Sequence, residues 1–228
     1  MNNLKMFKNS RKTELKSGDT ITFGRYYYDS NIIKPIEWIV LKEYKDRILV
    51  FSKYAIDVMG YITDWDYNDI EKSHKKLIWE FSDLKKWLNE DFYQTAFNER
   101  EKKRILVTTI ITTEIEGNSD NKVFILSEEQ IEQLLNQDTL CASPTPYALA
   151  QNAVVEHGTD CSPYWILPSI NKSAGYCLEI EDEYLSHLEI YPKAITGSGK
   201  IYCHSRNVYH KDFTIRPALY IEKAFIAN

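Results

Sequence analysis

Helix-start signals crowd the middle of the chain and are missing from both ends. Ser82 stands before Asp83-Leu84, Asn98 is followed three residues on by Glu101, Ser127 by Gln130, and Thr145 leads directly into Pro146. A Ser, Thr or Asn oxygen at such a position accepts from first-turn amides that have no partner inside the helix. A Glu or Gln three residues later can return the bond to the cap's own amide. Proline at the first helical position gives up an amide that is unpaired in any case. Apolar stripes sit beside these caps. Leu77, Phe81, Leu84 and Leu88 predict one helix, a second short one runs through Arg104, Ile131, Leu134 and Leu135 mark a third, and Tyr147 to Ala153 a fourth.

Outside that region the period changes to two. Ile21 and Phe23 alternate before Gly24, Ile36, Trp38 and Val40 alternate again, and Ile48-Leu49-Val50-Phe51 completes a hairpin. The β-branched run from Val107 to Thr113 predicts a strand, as does Lys122 to Leu126, with a turn at Gly117-Asn118-Ser119-Asp120 between them. After Cys161, short Tyr-, Ile- and Val-rich segments follow one another around Tyr164–Leu167, Tyr176–Ile180, His187–Ile190, Lys200–His204 and Ile215–Ile221. Strands at both ends with helices between them predict an α+β fold of short helices, antiparallel sheet and long loops, not the alternating order of a parallel sheet. Asp57 to Lys76 has little period and reads as a surface excursion. Residues 1–16 read as a flexible basic arm, and 17–228 as one α+β domain without repeats or linkers.

Charge and cysteine usage exclude several functions. With 28 Lys and Arg against 33 Asp and Glu, the net charge of −5 does not suit a protein that holds phosphate backbones, so nucleic acid is not an expected partner. No run approaches the roughly 18 apolar residues of a membrane span, and the opening segment has no apolar core of a leader. The lack of a span and of a leader predicts a cytoplasmic protein, and Cys141, Cys161, Cys177 and Cys203, which contain no CxxC pair, read as reduced, mostly buried thiols.

Five segments in order carry a resemblance. They are Ser17-Gly18-Asp19-Thr20-Ile21-Thr22-Phe23-Gly24 with Pro35-Ile36-Glu37-Trp38-Ile39-Val40-Leu41, then Trp79 to Asn89 with Phe92-Tyr93 and Ala96-Phe97, then Val123 to Ser127, Pro144 to Ala148, and Ile215 to Leu219. Their order and spacing resemble a bacterial family known only as a domain of unknown function, whose members read GDxVxFG, IEWxVL, WexSxLRxWLN, DkvFLLS, WWLRS and GVRPAL. The closing strand pattern is similar to the C-terminal half of C-type-lectin-like folds, which implies a recognition module. This chain departs from the pattern twice. Leu167-Pro168 stands where the family has an arginine, and Thr214 replaces a glycine.

Candidate residues follow from composition and pattern. Arg216, framed by Ile215 and Pro217-Ala218-Leu219, is expected inside the protein as a structural cation paired with Glu37 or Glu80. Trp38, Trp79 and Trp87 read as core or lid aromatics. Tyr164, Trp165, Tyr202, His204, Arg206 and Tyr209 form the expected ligand face, with core packing the competing reading for Tyr164 and Trp165. His157-x3-Cys161 and Cys203-His204 offer soft ligands but no complete zinc set, and the Glu179–Glu183 cluster reads as a solvated acidic loop. No cofactor is expected, because Gly197-Ser198-Gly199-Lys200 lacks the strand and helix a phosphate loop requires. The expected function is non-enzymatic recognition of a protein or glycan ligand. A thiol-dependent hydrolase or oxidase using a Cys/His pair, or a structural accessory subunit, are the alternatives.

Overall fold

A computed structural model describes residues 15–64, 66–110, 119–167, 193–203 and 213–226. The chain opens with three long strands, β1 (Thr20–Asp29), β2 (Ile32–Glu43) and β3 (Arg47–Ser52), followed by a short β4 (Asp57–Val58). The helices come next: α1 (Ile70–Lys75), α2 (Asp83–Trp87), α3 (Tyr93–Ala96) and α4 (Glu99–Lys102). Strands β5 (Ile105–Leu106), β6 (Thr108–Ile110) and β7 (Ser119–Asn121) lead to α5 (Glu128–Leu134), α6 (Gln137–Leu140) and α7 (Pro146–Ala150). The remainder is β8 (Tyr164–Ile166), β9 (Lys193–Ile195), β10 (Ile201–Cys203), β11 (Thr214–Ile215), β12 (Ala218–Glu222) and α8 (Lys223–Ile226).

The strands form two five-stranded sheets and a ribbon. One sheet has the order β1-β2-β3-β12-β5, the other β10-β9-β8-β11-β4, and β6 pairs with β7. Pairing is antiparallel except where β11 meets β8. The mixed helix and antiparallel-sheet architecture agrees with the α+β expectation. The Ile215–Ile221 segment does not form one strand. Arg216-Pro217 divides it, so that β11 joins the second sheet while β12 crosses to the first. Proline has no amide to donate to a ladder, and its carbonyl here accepts from Ser52 N at 2.9 Å, tying the crossing point to the end of β3.

All four sequence-level caps hold. Ser82 accepts from Lys85 N, Asn98 with Glu101 and Ser127 with Gln130 form reciprocal capping boxes, and Thr145 caps α7 with Pro146 in its first turn. Between α2 and α3 the helix widens into a π turn over Leu88–Phe92. That widening accompanies burial of both Leu88 and Phe92. Three expectations fail. The Asp57–Lys76 stretch contributes β4 and α1 and buries Tyr61 and Ile62, so it belongs partly to the core. Lys122–Leu126 is not a strand of either sheet, since only Phe124 bridges to Ala218 while Val123 to Leu126 are fully buried. The cysteines are not all thiols, because Cys141 and Cys161 form a disulfide with their Cα atoms 5.5 Å apart. Cys177 and the side chain of Cys203 lie outside the described residues, as do residues 1–14 of the basic arm.

The core is aromatic, and its three fully buried indoles are paired. The indole N–H groups of Trp38, Trp79 and Trp165 donate to Phe23 O, Asn121 Oδ1 and Met59 O at 2.7, 3.0 and 2.8 Å. A large ring can thus be sunk completely without stranding its one donor. Thr214 is fully buried and donates its hydroxyl to Pro163 O at 2.7 Å. Among the described residues no helix is long and apolar enough to cross a membrane.

Candidate functional site

The β1–β2 hairpin, the end of β3 and the start of α7 enclose a cleft of about 120 Å³. Tyr26, Tyr27, Tyr28, Lys34, Pro35, Ile36 and Glu37 come from the hairpin. Ser52, Tyr54, Ile56 and Thr145 complete the lining. A register shift between Tyr27 and Asp29 interrupts the regular alternation of β1, and the three consecutive tyrosines all line the cleft. Tyr26 goes into the core, edge-on to Phe92 at 5.0 Å, whereas Tyr27 stacks on Tyr147 of α7 at 5.0 Å between centroids. Tyr147 in turn meets the edge of Tyr26. The proline at the head of α7 fixes where Tyr147 leaves the chain, and Thr145 N and Ala55 N exchange hydrogen bonds with Ala55 O and Ser143 O to hold that entry against β4's approach.

Below the rings lies Asp57, 8% exposed. Tyr26 Oη donates to its Oδ2 at 2.6 Å and Val58 N donates to Oδ1 at 2.8 Å. Burial pushes the Asp57 carboxyl above the usual carboxylate range, although both hydrogen bonds favour its ionised form. Burial and the Asp57 charge together drive the Tyr26 phenol far above its ordinary value, and Tyr147 is raised by the same two causes. These phenols are neutral hydrogen-bonding groups at any physiological pH, not bases or nucleophiles.

At the mouth, cations lie over rings. Lys34 Nζ sits 3.4 Å from the Tyr28 centroid, and Lys53 Nζ sits 5.2 Å from that of Tyr54 while pairing with Glu37 at 2.8 Å. The hydrogen bond to Glu37 raises the Lys53 ammonium. Ile32 and Ile33, at the tip of the same hairpin, remain 48% and 49% exposed. The cleft thus offers phenol rings and hydroxyls, one ammonium with no carboxylate partner among the described residues, one ion pair, and an apolar pair alongside.

Of the residues singled out from the sequence, Glu37 lines the cleft and Tyr164, Trp165 and Arg216 do not. Tyr164 and Trp165 are 1% and 0% exposed, with their polar atoms donating to Leu140 O and Met59 O. Both are core residues, so the expected ligand face does not include them. His204, Arg206, Tyr209 and the side chain of Tyr202 lie outside the described residues. Arg216 is buried as expected, but Glu37 and Glu80 are not its partners. Glu37 pairs with Lys53 and Glu80 with Lys85. The guanidinium donates instead to Ser52 O at 2.7 Å and Thr139 O at 2.5 Å, between the rings of Phe51 and Tyr164. Burial lowers its affinity for its proton. Trp87 is half-buried with its ring against Phe92. Cys161 has its sulfur in the disulfide, so neither the His157–Cys161 ligand pair nor a thiolate there is present.

Sequence reasoning passed over the cleft because its residues are scattered over more than a hundred positions. One local signal was available, the Tyr26-Tyr27-Tyr28 run, which puts aromatic area on a face that alternation would leave polar.

A family model described as Domain of unknown function (DUF6273) matches residues 38–223. No curated protein and no solved structure matches the chain.

Proposed function

From the premise that the chain belongs to the DUF6273 family, and from the geometry of the cleft, we propose that it is a non-enzymatic recognition module whose ligand inserts between the hairpin tyrosines and Tyr54. The observation that carries this reading is the convergence of Tyr26, Tyr27, Tyr28 and Tyr54 on one opening, with Tyr147 behind. Tyrosine offers large contact area and a hydroxyl at low entropic cost, which suits recognition surfaces. A volume near 120 Å³ is well below the several hundred Å³ of a typical small-molecule site, so the cleft takes one side chain or ring presented by a larger ligand. The exposed Ile32 and Ile33 beside it favour a protein ligand over a glycan. The neutral phenols and the disulfide-bound Cys161 support binding without catalysis. A C-type-lectin-like arrangement of the C-terminal half belongs to the same proposal, supported by antiparallel β8, β9 and β10 and by β12 returning to the N-terminal sheet.

The test is calorimetric titration of ligands drawn from peptide and glycan arrays against the wild-type chain, Tyr28→Ala and Tyr54→Ala. Binding lost in both variants at unchanged melting temperature supports the site. Undiminished affinity overturns it, a glycan hit transfers it to the other ligand class, and turnover of any bound ligand overturns the non-enzymatic reading.

A further inference from the structure

The turn that joins β2 to β3 lies at the end of β2 away from the cleft residues Lys34 to Glu37, and it gathers charge that the cleft does not use. Arg47 opens β3 opposite Glu222 of β12, while Leu49 stands opposite Tyr220. Alternation therefore sets Arg47, Tyr220 and Glu222 on one face of the sheet. There the Arg47 guanidinium carbon lies 4.8 Å from the centroid of Tyr220 and 5.3 Å from that of Tyr44, two rings 6.0 Å apart. Lys42 Nζ lies 5.3 Å from the Tyr44 centroid, so both cations share that ring.

Neither cation has an anionic partner among the described residues. Glu43, next to Lys42, pairs with Lys223, Glu222, opposite Arg47, pairs with Arg104, and the Asp46 carboxylate of the turn pairs with neither. Burial, with Tyr44 alongside, pushes the Tyr220 phenol up to about 12, so no phenolate supplies the missing charge. Arg47 Nε is buried and has no acceptor. Rings and not hydrogen bonds hold the guanidinium, and its two Nη groups meet no acceptor among the described residues.

We propose that Arg47 and Lys42 form a binding site for a phosphoryl group. With Nε shut in, the anion approaches end-on, an oxygen to each Nη, and Lys42 supplies a second positive charge from across the Tyr44 ring. A guanidinium fork beside an ammonium suits a dianion with several oxygens better than it suits a singly charged carboxylate. Ring faces attract both cations without neutralising them, so the site stays charged. They also remove rotamer freedom that an unrestrained arginine would lose on binding.

The test is titration of the full chain with inorganic phosphate at fixed ionic strength, followed by NMR through the Arg47 Nε–Hε resonance. A saturable shift is expected, with affinity rising several-fold from pH 6 to pH 8 as the probe gains its second charge. Arg47→Lys, which keeps the charge and loses the fork, should weaken binding about tenfold, and Lys42→Ala several-fold, both at unchanged melting temperature. Parallel titrations with glycerol phosphate and a phosphoserine peptide assign the source, the tighter of the two supporting the site in that form. No saturable shift, an equal shift with acetate or chloride, or a lysine at position 47 that binds as well as arginine overturns the proposal and leaves Arg47 as a packing residue over its two rings. Should Arg47→Lys fail to fold, Lys42→Ala carries the same decision, because its side chain is exposed and an unchanged phosphate affinity overturns the two-cation site.

Discussion

The guanidinium of Arg216 lies 4.1 Å from the centroid of Phe51 and donates to the carbonyl of the next residue, Ser52, at 2.7 Å. A cation buried with no carboxylate partner among the described residues survives because planar guanidinium stacks on the ring while its edge N–H groups reach backbone oxygens from two segments. The position is structural. It joins the end of β3 to Thr139 at the point where Arg216-Pro217 hands the chain from one sheet to the other. Lysine cannot keep both the stack and the fork, so Arg216→Lys should cost on the order of 2–4 kcal/mol from the charge-assisted bonds it loses. Urea denaturation measures this, and an Arg216→Lys midpoint equal to wild type would show that the carbonyl contacts contribute nothing.

Asp57 gives a pH signature of definite sign. Its folded pKa is raised by burial, so the native state holds the proton more tightly than the unfolded chain does. The protonated form therefore adds stability below the unfolded carboxyl pKa of roughly 3.9, and that contribution is lost as pH rises through the raised folded value. Asp57→Asn removes the titration while keeping an oxygen for Tyr26 Oη. Its stability relative to wild type should increase from pH 4 to pH 7.5 in paired denaturation curves. A difference that is flat across that range would mean the carboxylate is not held in an unfavourable site.

How much was legible in the sequence follows from how local each determinant is. The caps at Ser82, Asn98, Ser127 and Thr145 depend on residues within three positions, and all four were readable. The same holds for the hairpin of β2 and β3. The break at Arg216-Pro217 was not readable from alternation, because Ile215, Leu219 and Ile221 keep their apolar character on both sides of a crossing that only long-range pairing reveals. Arg216 was rightly placed inside, yet its partners were misassigned because a charge rule names carboxylates, while the actual acceptors are main-chain oxygens that no composition encodes. The cleft has the same difficulty. Tyr26 and Tyr147 are 121 positions apart and acquire meaning only when α7 packs on β1.

Asn89 shows why a helix residue in the Trp87-Leu88-Asn89 motif is more than a surface amide. Its Oδ1 accepts from Lys122 N at 2.8 Å and Val123 N at 3.2 Å, while its Nδ2 donates to Val123 O at 2.9 Å and Lys85 O at 3.0 Å. The side chain therefore supplies the backbone pairing that the 122–123 segment lacks as a non-strand. Asn89→Ala should destabilise the protein by about 2–4 kcal/mol, since several part-buried main-chain groups lose their partner. Asn89→Asp keeps the acceptor and loses the donor, so it should also be destabilising. An alanine variant as stable as wild type would assign the pairing to water instead.

At Gly24 local geometry makes a quantitative demand. Its φ is +71°, and an added Cβ would stand 2.5 Å from the Phe97 ring and 2.9 Å from Ala96 O. Its amide also donates to Glu101 Oε1 at 3.1 Å, the side chain that closes the capping box of α4. The β1 register shifts between Thr22 and Arg25 at this point, so the glycine is what lets the strand bend onto the end of α3. Phe97 cannot swing aside freely, because it packs against Phe23, Phe92 and Tyr93. Gly24→Ala thus combines a strained backbone with a steric clash, and should cost roughly 2–4 kcal/mol. Gly18→Ala provides the control, since φ is also positive there, at +93°, but nothing lies within 4 Å of its Cβ. The gap between the two melting temperatures isolates the clash with Phe97, and equal losses would mean that backbone strain alone accounts for both.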